Sequence, residues 1–341
     1  RLEQELHRFG AVFANTIMRA EVVRTAQRMG LPYTWVVHEA WPREQFDWYA
    51  SKVFMQEGID GSIIKEAFAS AEPDTGSIIF PAKMQKRLYD GLVNDEACRV
   101  VYNGIPVEKL DDFIANQNRT AIREELGYSE DDFVVLHLGT VCARKCQHVT
   151  AEAFSELVTE RGCDNAKLLM VGARYNRSDE IQYIEKVKGA LARGRVESRA
   201  QILDIQEEVL RFYMAADVVV VPSKNEVPPL VIAEAQAFQC PLVVSRLDGL
   251  PDAMEDGKEG FVVPAENVTA LADALETLHK DKDLRVRMGA LGRACALHQF
   301  SHAAMATTYG ELMEEMLPSP AVLPKIELSS PLLSSPLLSS P

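Results

Sequence analysis

The chain has 341 residues and a formal net charge of −14, with 36 lysines and arginines against 50 aspartates and glutamates. A length of this order gives two domains as the prior, each able to bury a core, and 47% hydrophobic with 25% charged residues is ordinary for a globular protein. The acidic balance argues against non-specific nucleic-acid binding, which needs basic surface, but not against a local cationic pocket for an anionic ligand.

In chain order, residues 10–16 read as a short strand ending in small polar residues, and 18–30 as a helix closed near Gly30. Residues 33–39 are strand-like, 43–57 helical, 77–81 a strand, 82–93 a helix and 99–104 a last strand. This is the alternation of a parallel α/β domain. With only about four strands, it lacks the Gly-rich opening unit of a full doubly wound domain. The chain also starts with Arg1 and its first residues read as the middle of a domain. An N-terminal truncation is therefore expected, which leaves a leader or anchor open.

A second series follows Asn103. Its strands are 133–139, 166–172, 200–203, 217–222 and 241–245, with helices at 149–161, 180–193, 206–216 and 229–239. These strands are continuous apolar runs, the mark of a parallel sheet covered on both faces. A mostly helical region spans 268–317. From Pro318 the sequence becomes a Leu-Ser-Ser-Pro-rich repeat that forbids helix and central strand, and it reads as a disordered tail. The six cysteines (98, 142, 146, 163, 240, 295) have no zinc-site spacing and read as reduced thiols of an intracellular protein. Three glycosylation sequons, at Asn118, Asn176 and Asn267, are close to chance frequency and carry little weight.

Two segments carry chemistry. Glu226 and Glu234 stand after the strand-like run 217–222, with Pro228 and Pro229 where a helix would begin. Glu226 then lies on the loop at the carboxyl end of a strand and Glu234 about two turns into the next helix. That crevice is where open α/β sheets bind ligands, and a helix N-terminus there offers N–H groups to phosphate. The other segment is the turn after 133–138: Gly139 lets backbone approach a ligand, and the adjacent cations Arg144 and Lys145 suit a diphosphate. Alone, either segment has a bland reading, as exposed helix carboxylates or as a solvated loop. Together they open at one sheet edge.

The order of motifs resembles the donor domain of the GT-B glycosyltransferases, in particular the large retaining family 4 with its glycosyl transferases group 1 domain. The resemblance runs from about Val100 to Met316. It is carried by Val101-Tyr-Asn-Gly-Ile-Pro, Arg144-Lys-Cys-Gln, Phe212-Tyr-Met-Ala-Ala-Asp, the Glu226/Glu234 segment and Asp256-Gly-Lys-Glu-Gly-Phe-Val-Val. It implies an α/β fold of two Rossmann-like parallel-sheet domains facing a cleft, the first incomplete. Residues 1–103 would be the partial acceptor-side domain, 104–300 the nucleotide-sugar donor domain, 301–317 a C-terminal helix packing back toward the first domain, and 318–341 the tail.

The same resemblance implies roles. Gly139, Arg144, Lys145 and the backbone at Leu230 and Val231 would hold the donor diphosphate. Glu234 would bind the ribose, and the loop at Asp204 and Ile205 would meet the base. Glu226 would face the transferred sugar and His38 would lie across the cleft, although a lone strand-end histidine is more often structural. The donor would be a UDP- or GDP-sugar and the acceptor a glycan, lipid or small molecule. No metal, cofactor or nucleic acid is implied, and the location would be cytoplasmic, with the cytosolic face of a membrane open. Thr140, Cys146 and Pro228-Pro229 depart from the family pattern, at places where arginine, glycine and Phe-Gly are common. Rival readings are a nucleotide-sugar 2-epimerase of the same fold and a non-catalytic nucleotide-sugar-binding protein. Dinucleotide-binding and P-loop signatures are absent, and nothing beyond the two carboxylates supports a glycosidase.

Overall fold

The computed structural model describes residues 2–53, 61–224, 230–247 and 249–316. The first domain is a four-stranded sheet, β1 (Val12–Asn15), β2 (Tyr33–Val36), β3 (Gly76–Phe80) and β4 (Cys98–Val100), ordered β1-β2-β3-β4 with every pairing parallel. The second is a six-stranded sheet, with β5 (Phe133–Leu138), β6 (Ala166–Ala173), β7 (Ala200–Asp204), β8 (Val218–Val221), β9 (Leu242–Ser245) and β10 (Gly260–Val263). Its order is β10-β9-β8-β5-β6-β7, again all parallel.

Side-chain alternation explains why these strands are apolar throughout. Val135, Leu168, Met170, Val218, Val220 and Val243 point into the core on one face. Val134, Leu136, Leu169, Val219, Val221 and Val244 point into the core on the other. Both faces are dry, so neither position of the two-residue period tolerates a polar side chain without a partner.

The helices differ from expectation in three places. Gly61–Ala69, Val107–Asn116 and Arg119–Glu125 are helices that periodicity did not single out. The expected helix 82–93 is only Lys83–Arg87, because the chain leaves helical geometry before Gly91, at φ 75°, and turns again at the Asn94 cap. The expected helix 206–216 is confined to Leu210–Ala215.

The chain crosses between domains twice, and the crossings pair with each other. Ile105 N–H donates to the Phe300 carbonyl at 2.7 Å, and His302 N–H donates to the Ile105 carbonyl at 2.9 Å. The helix His302–Met316 then lies on the first sheet, where Leu312 joins Val36, Ile79 and Val101 in a small core flanked by Met305 and Tyr309.

At the amino edge of the second sheet, Asp217 is a buried knot. Its carboxylate accepts from Arg119 at 2.9 Å, Arg123 at 3.2 Å and the Val134 N–H at 2.8 Å. Arg123 is 1% exposed and also donates to the carbonyls of Ser129, Asp132 and Ala215. Removing one member strands a buried charge. Arg123→Ala should therefore cost about 3–5 kcal/mol in urea denaturation, whereas Arg177→Ala, whose ion pair with Asp179 is exposed, should stay within about 0.5 kcal/mol of the parent.

Candidate functional site

The carboxyl edges of the two sheets face each other. The helix Lys83–Arg87, which follows β3, presents the Met84 N–H to the Asp252 carboxylate at 2.6 Å, and Asp252 belongs to the short turn Leu250–Ala253 after β9. The Tyr102 hydroxyl donates to the Asp252 carbonyl at 3.5 Å. Leu230, Ala233 and Ala253 from the second domain line a narrow seam with Pro81 and Tyr102.

On the second domain the site begins where β5 ends. Gly139 has φ 142° and Gly172, at the end of β6, has φ 120°, both in the region glycine favours. The two backbones are in direct contact: a Cβ on Gly172 would sit 2.5 Å from the Gly139 carbonyl oxygen. Gly139 N–H donates to Val171 and Val141 N–H to Gly172, so the loop is sewn onto β6. The Lys145 side chain then runs over the bare face of Gly139, with its Cε 3.5 Å from where a Cβ would stand.

The two cations of this loop part company. Lys145 is buried and Arg144 exposed, although they are neighbours on the turn Ala143–Lys145. Beneath Lys145 lies His137, 1% exposed, with Nδ1 2.9 Å from the Thr150 hydroxyl. Burial, aided by the Lys145 charge, pushes the His137 pKa down to about 3. It is a neutral ring packed under a cation. Cys146, at the family's glycine position, takes a left-handed conformation at φ 58° and caps the helix Gln147–Thr159. That geometry is the physical reason glycine suits this place.

Glu234 sits within the helix Leu230–Ala237, which follows β8, one strand along the same edge from β5. Its carboxylate is half-buried and accepts a 2.6 Å hydrogen bond from the Tyr213 hydroxyl. Burial raises the Glu234 pKa above the usual carboxylate range, and the Tyr213 hydrogen bond opposes that rise. Burial and the adjacent carboxylate together keep Tyr213 protonated, as a donor. Leu230, exposed, and Val231, half-buried, form the first turn of this helix, where backbone N–H groups lack intrahelical partners. Asp204 and Ile205 are exposed at the end of β7, where Ile205 N–H donates to the Ala173 carbonyl. Gly139, Lys145, Leu230, Val231, Glu234, Asp204 and Ile205 thus all stand at the carboxyl edge of one sheet. Glu226, Pro228 and Pro229 lie outside the described residues.

On the facing domain His38 follows β2, with Nε2 2.6 Å from the Asn15 side-chain oxygen at the end of β1. Between them the backbone is strained: Thr16, a β-branched residue, has φ 87°. It is held there by the Glu39 carboxylate, which accepts from the Thr16 hydroxyl and from Ile17 N–H at 2.8 Å, and by Trp35, whose ring N–H donates to the Thr16 carbonyl. Sequence reasoning missed His137, Gly172, Tyr213 and Asn15 as parts of the site. Gly172 carried a signal, a glycine ending a buried strand. The other three become visible only through their partners.

Two parallel α/β domains with opposed carboxyl edges define the GT-B architecture, to which this molecule belongs. The crystal structure of Anabaena HepE in complex with UDP superposes with a TM-score of 0.77 at 19% identity, covering 92% of this chain and 80% of that one. Sucrose-phosphate synthase from Thermosynechococcus elongatus gives 0.72 at 20% identity, covering 92% and 75%. Residues 132–281 match the family described as glycosyl transferases group 1. Among curated relatives, the D-inositol 3-phosphate glycosyltransferase of Corynebacterium efficiens is 34% identical over 195 residues, 57% of this chain and 45% of that protein. The N-acetyl-alpha-D-glucosaminyl L-malate synthase of Bacillus anthracis is 26% identical over 201 residues, 59% of this chain and 50% of that protein. The chain spans about half the length of these curated relatives. Among the described residues, no helix is long and apolar enough to cross a membrane.

Two measurements test this geometry. Gly172→Ala should destabilise by roughly 2–5 kcal/mol in urea, from backbone strain plus collision with Gly139. His137 has a folded pKa below its unfolded value, so the unfolded chain takes up the proton first. Its contribution to stability is present above about pH 6.5 and is lost on acidification toward pH 3. Glu234, with a raised pKa, has the opposite slope in its own window, since the folded state there binds the proton first. His137→Leu should therefore lose up to about 1.4 kcal/mol per pH unit of acid sensitivity between pH 6 and 5, read from denaturation at the two pH values.

Proposed function

We propose that this chain is the donor-binding part, with a portion of the acceptor side, of a retaining, metal-independent glycosyltransferase that uses a nucleoside diphosphate sugar. The observation that carries the reading is the placement of buried Lys145, folded over Gly139, and half-buried Glu234, held by Tyr213, at one sheet edge facing a second α/β domain. The names of its relatives and the UDP bound by its structural neighbour support the same class.

In this mechanism the donor's diphosphate lies on the Gly139 loop. Lys145, Arg144 and the N–H groups at Leu230 and Val231 stabilise the negative charge that grows as the diphosphate departs, and they need no reorganisation to do so. Cationic side chains here take the part a metal ion plays elsewhere. Glu234, ionised, accepts from the ribose hydroxyls while Tyr213 fixes its orientation, and the base packs at Asp204 and Ile205. Glu226 faces the transferred sugar. His38, oriented by Asn15, approaches sugar and acceptor from the other domain. The donor phosphate itself takes the acceptor's proton, so no protein general base is assigned. Closure of the two edges, of which the Asp252–Met84 contact is one element, excludes water from the reacting centre.

Calorimetric titration with UDP, and with GDP in parallel, tests the donor site. Lys145→Ala should weaken the preferred nucleotide at least tenfold, through loss of a charge-assisted contact to phosphate. Unchanged affinity would remove the phosphate role. Glu234→Gln should weaken it roughly tenfold with no loss of stability at pH 7, since the substitution removes a desolvated charge. In product analysis of the intact protein with a nucleotide sugar and candidate acceptors, Glu226→Ala should lower turnover more than nucleotide binding. Interconversion of the free nucleotide sugar without an acceptor would point instead to an epimerase.

A further inference from the structure

Behind the donor crevice, at the amino edge of β8 and β9, lies a second cavity of about 330 Å³. Its walls come from the end of the helix Leu210–Ala215, the end of Leu230–Ala237, and the start of Lys282–Gln299. Met214, Phe238 and Val286 make an apolar floor, and three cations, Arg119, Lys282 and Arg285, stand around it with one carboxylate, Asp217, which is paired with Arg119.

The placement of those cations has no explanation in helix chemistry. Lys282 and Arg285 occupy the first turn of an 18-residue helix, where the helix dipole repels positive charge. Of the carboxylates nearby, Asp283 is exposed on the same turn and three others are engaged. Asp217 takes Arg119 and Arg123, Asp281 caps the Leu284 N–H at 2.7 Å, and Glu130 accepts from the Thr120 hydroxyl. Among the described residues, no carboxylate forms an ion pair with Lys282 or Arg285. Arg285 is instead fixed at the cavity by the carbonyls of Leu278 and His279 and by the face of Phe133, 5.3 Å away. In a chain of net charge −14, three cations from two helices converge on one concave, partly apolar surface.

The cavity also touches the donor site through one residue. Tyr213 lines it and stacks on Phe238 at 5.5 Å, while its hydroxyl holds Glu234 on the far side. We propose that this cavity binds a small phosphate monoester with an apolar body, and that its occupancy is coupled through Tyr213 to nucleotide binding at Glu234. The phosphate lies among Arg119, Lys282 and Arg285, as a dianion suits several converging donors. The apolar body lies on Met214 and Phe238. A ligand that shifts the Phe238–Tyr213 stack changes how Glu234 is presented, and linkage makes the effect reciprocal. The coupling half rests on the nucleotide reading of Glu234, and the binding half does not.

Calorimetry on the whole chain with phenyl phosphate as probe separates the two halves. Expected is saturable one-to-one binding, weakened at least tenfold in Lys282→Glu without a change in unfolding midpoint, since Lys282 is exposed. No binding, or wild-type affinity in Lys282→Glu, overturns the site. Inorganic phosphate binding as tightly as phenyl phosphate overturns the apolar half of the assignment. With phenyl phosphate saturating, UDP affinity should change at least threefold, and Tyr213→Phe should abolish that change while retaining phenyl phosphate binding. An unchanged UDP affinity in the parent, or a shift that survives Tyr213→Phe, overturns the coupling. Absence of UDP binding under every condition overturns the nucleotide reading and the coupling with it, while the phenyl phosphate arm still decides the cavity.

Discussion

The contact of Gly139 with Gly172 is the constraint on which the rest of the site depends. Two adjacent parallel strands end with their backbones touching, which is feasible only because Gly172 carries no Cβ, and both glycines take positive φ. The contact flattens the loop after β5 against β6. Because the loop is flat, the Lys145 stem can lie along it and bring a buried cation to the sheet edge. The ring beneath it, His137, is held neutral by its own burial, to which the Lys145 charge adds. A side chain at Gly172 would meet the Gly139 backbone and lift the loop.

The second domain is organised by opposite demands on its two edges. At the amino edge Asp217 fastens two helical arginines and the Val134 N–H of β5, so that edge is fixed by largely buried charge. At the carboxyl edge the groups are presented, with the Glu234 carboxylate held by the Tyr213 hydroxyl and the Lys145 stem laid over Gly139. Tyr213 belongs to both, since its ring packs at the amino side and its hydroxyl reaches Glu234. The facing domain follows the same logic in miniature. Strain at Thr16, clamped by Glu39 and Trp35, sets the ends of β1 and β2 so that Asn15 and His38 meet.

Much of the fold was legible because it rests on local signals. Continuous apolar runs such as Val218–Val221 read as strands buried on both faces, and β5 to β9 lie where the reading put them, whereas the edge strand β10 (Gly260–Val263) was not expected. Short helices were less legible. Gly61–Ala69 opens on a glycine, and Val107–Asn116 follows a proline-containing linker, so neither announces itself by a cap. The stretch 82–93 has helical spacing but breaks up before Gly91, where a left-handed residue costs less than continuing.

The sequence by itself determined the class of fold, the sheet edge at which the candidate site stands, and the residue types there: Gly139, the Arg144–Lys145 pair, and Glu234. These follow from strand periodicity and from which residues stand immediately after each strand, both of which are properties of neighbours in the chain. The tertiary structure alone decided how those residues act. It buried Lys145 while leaving Arg144 exposed, placed His137 beneath the one and Tyr213 against Glu234, and closed Asp252 onto Met84 across 168 residues of chain. Burial and hydrogen-bond partners set charge, donor role and orientation, and they depend on segments distant in sequence that only packing brings together.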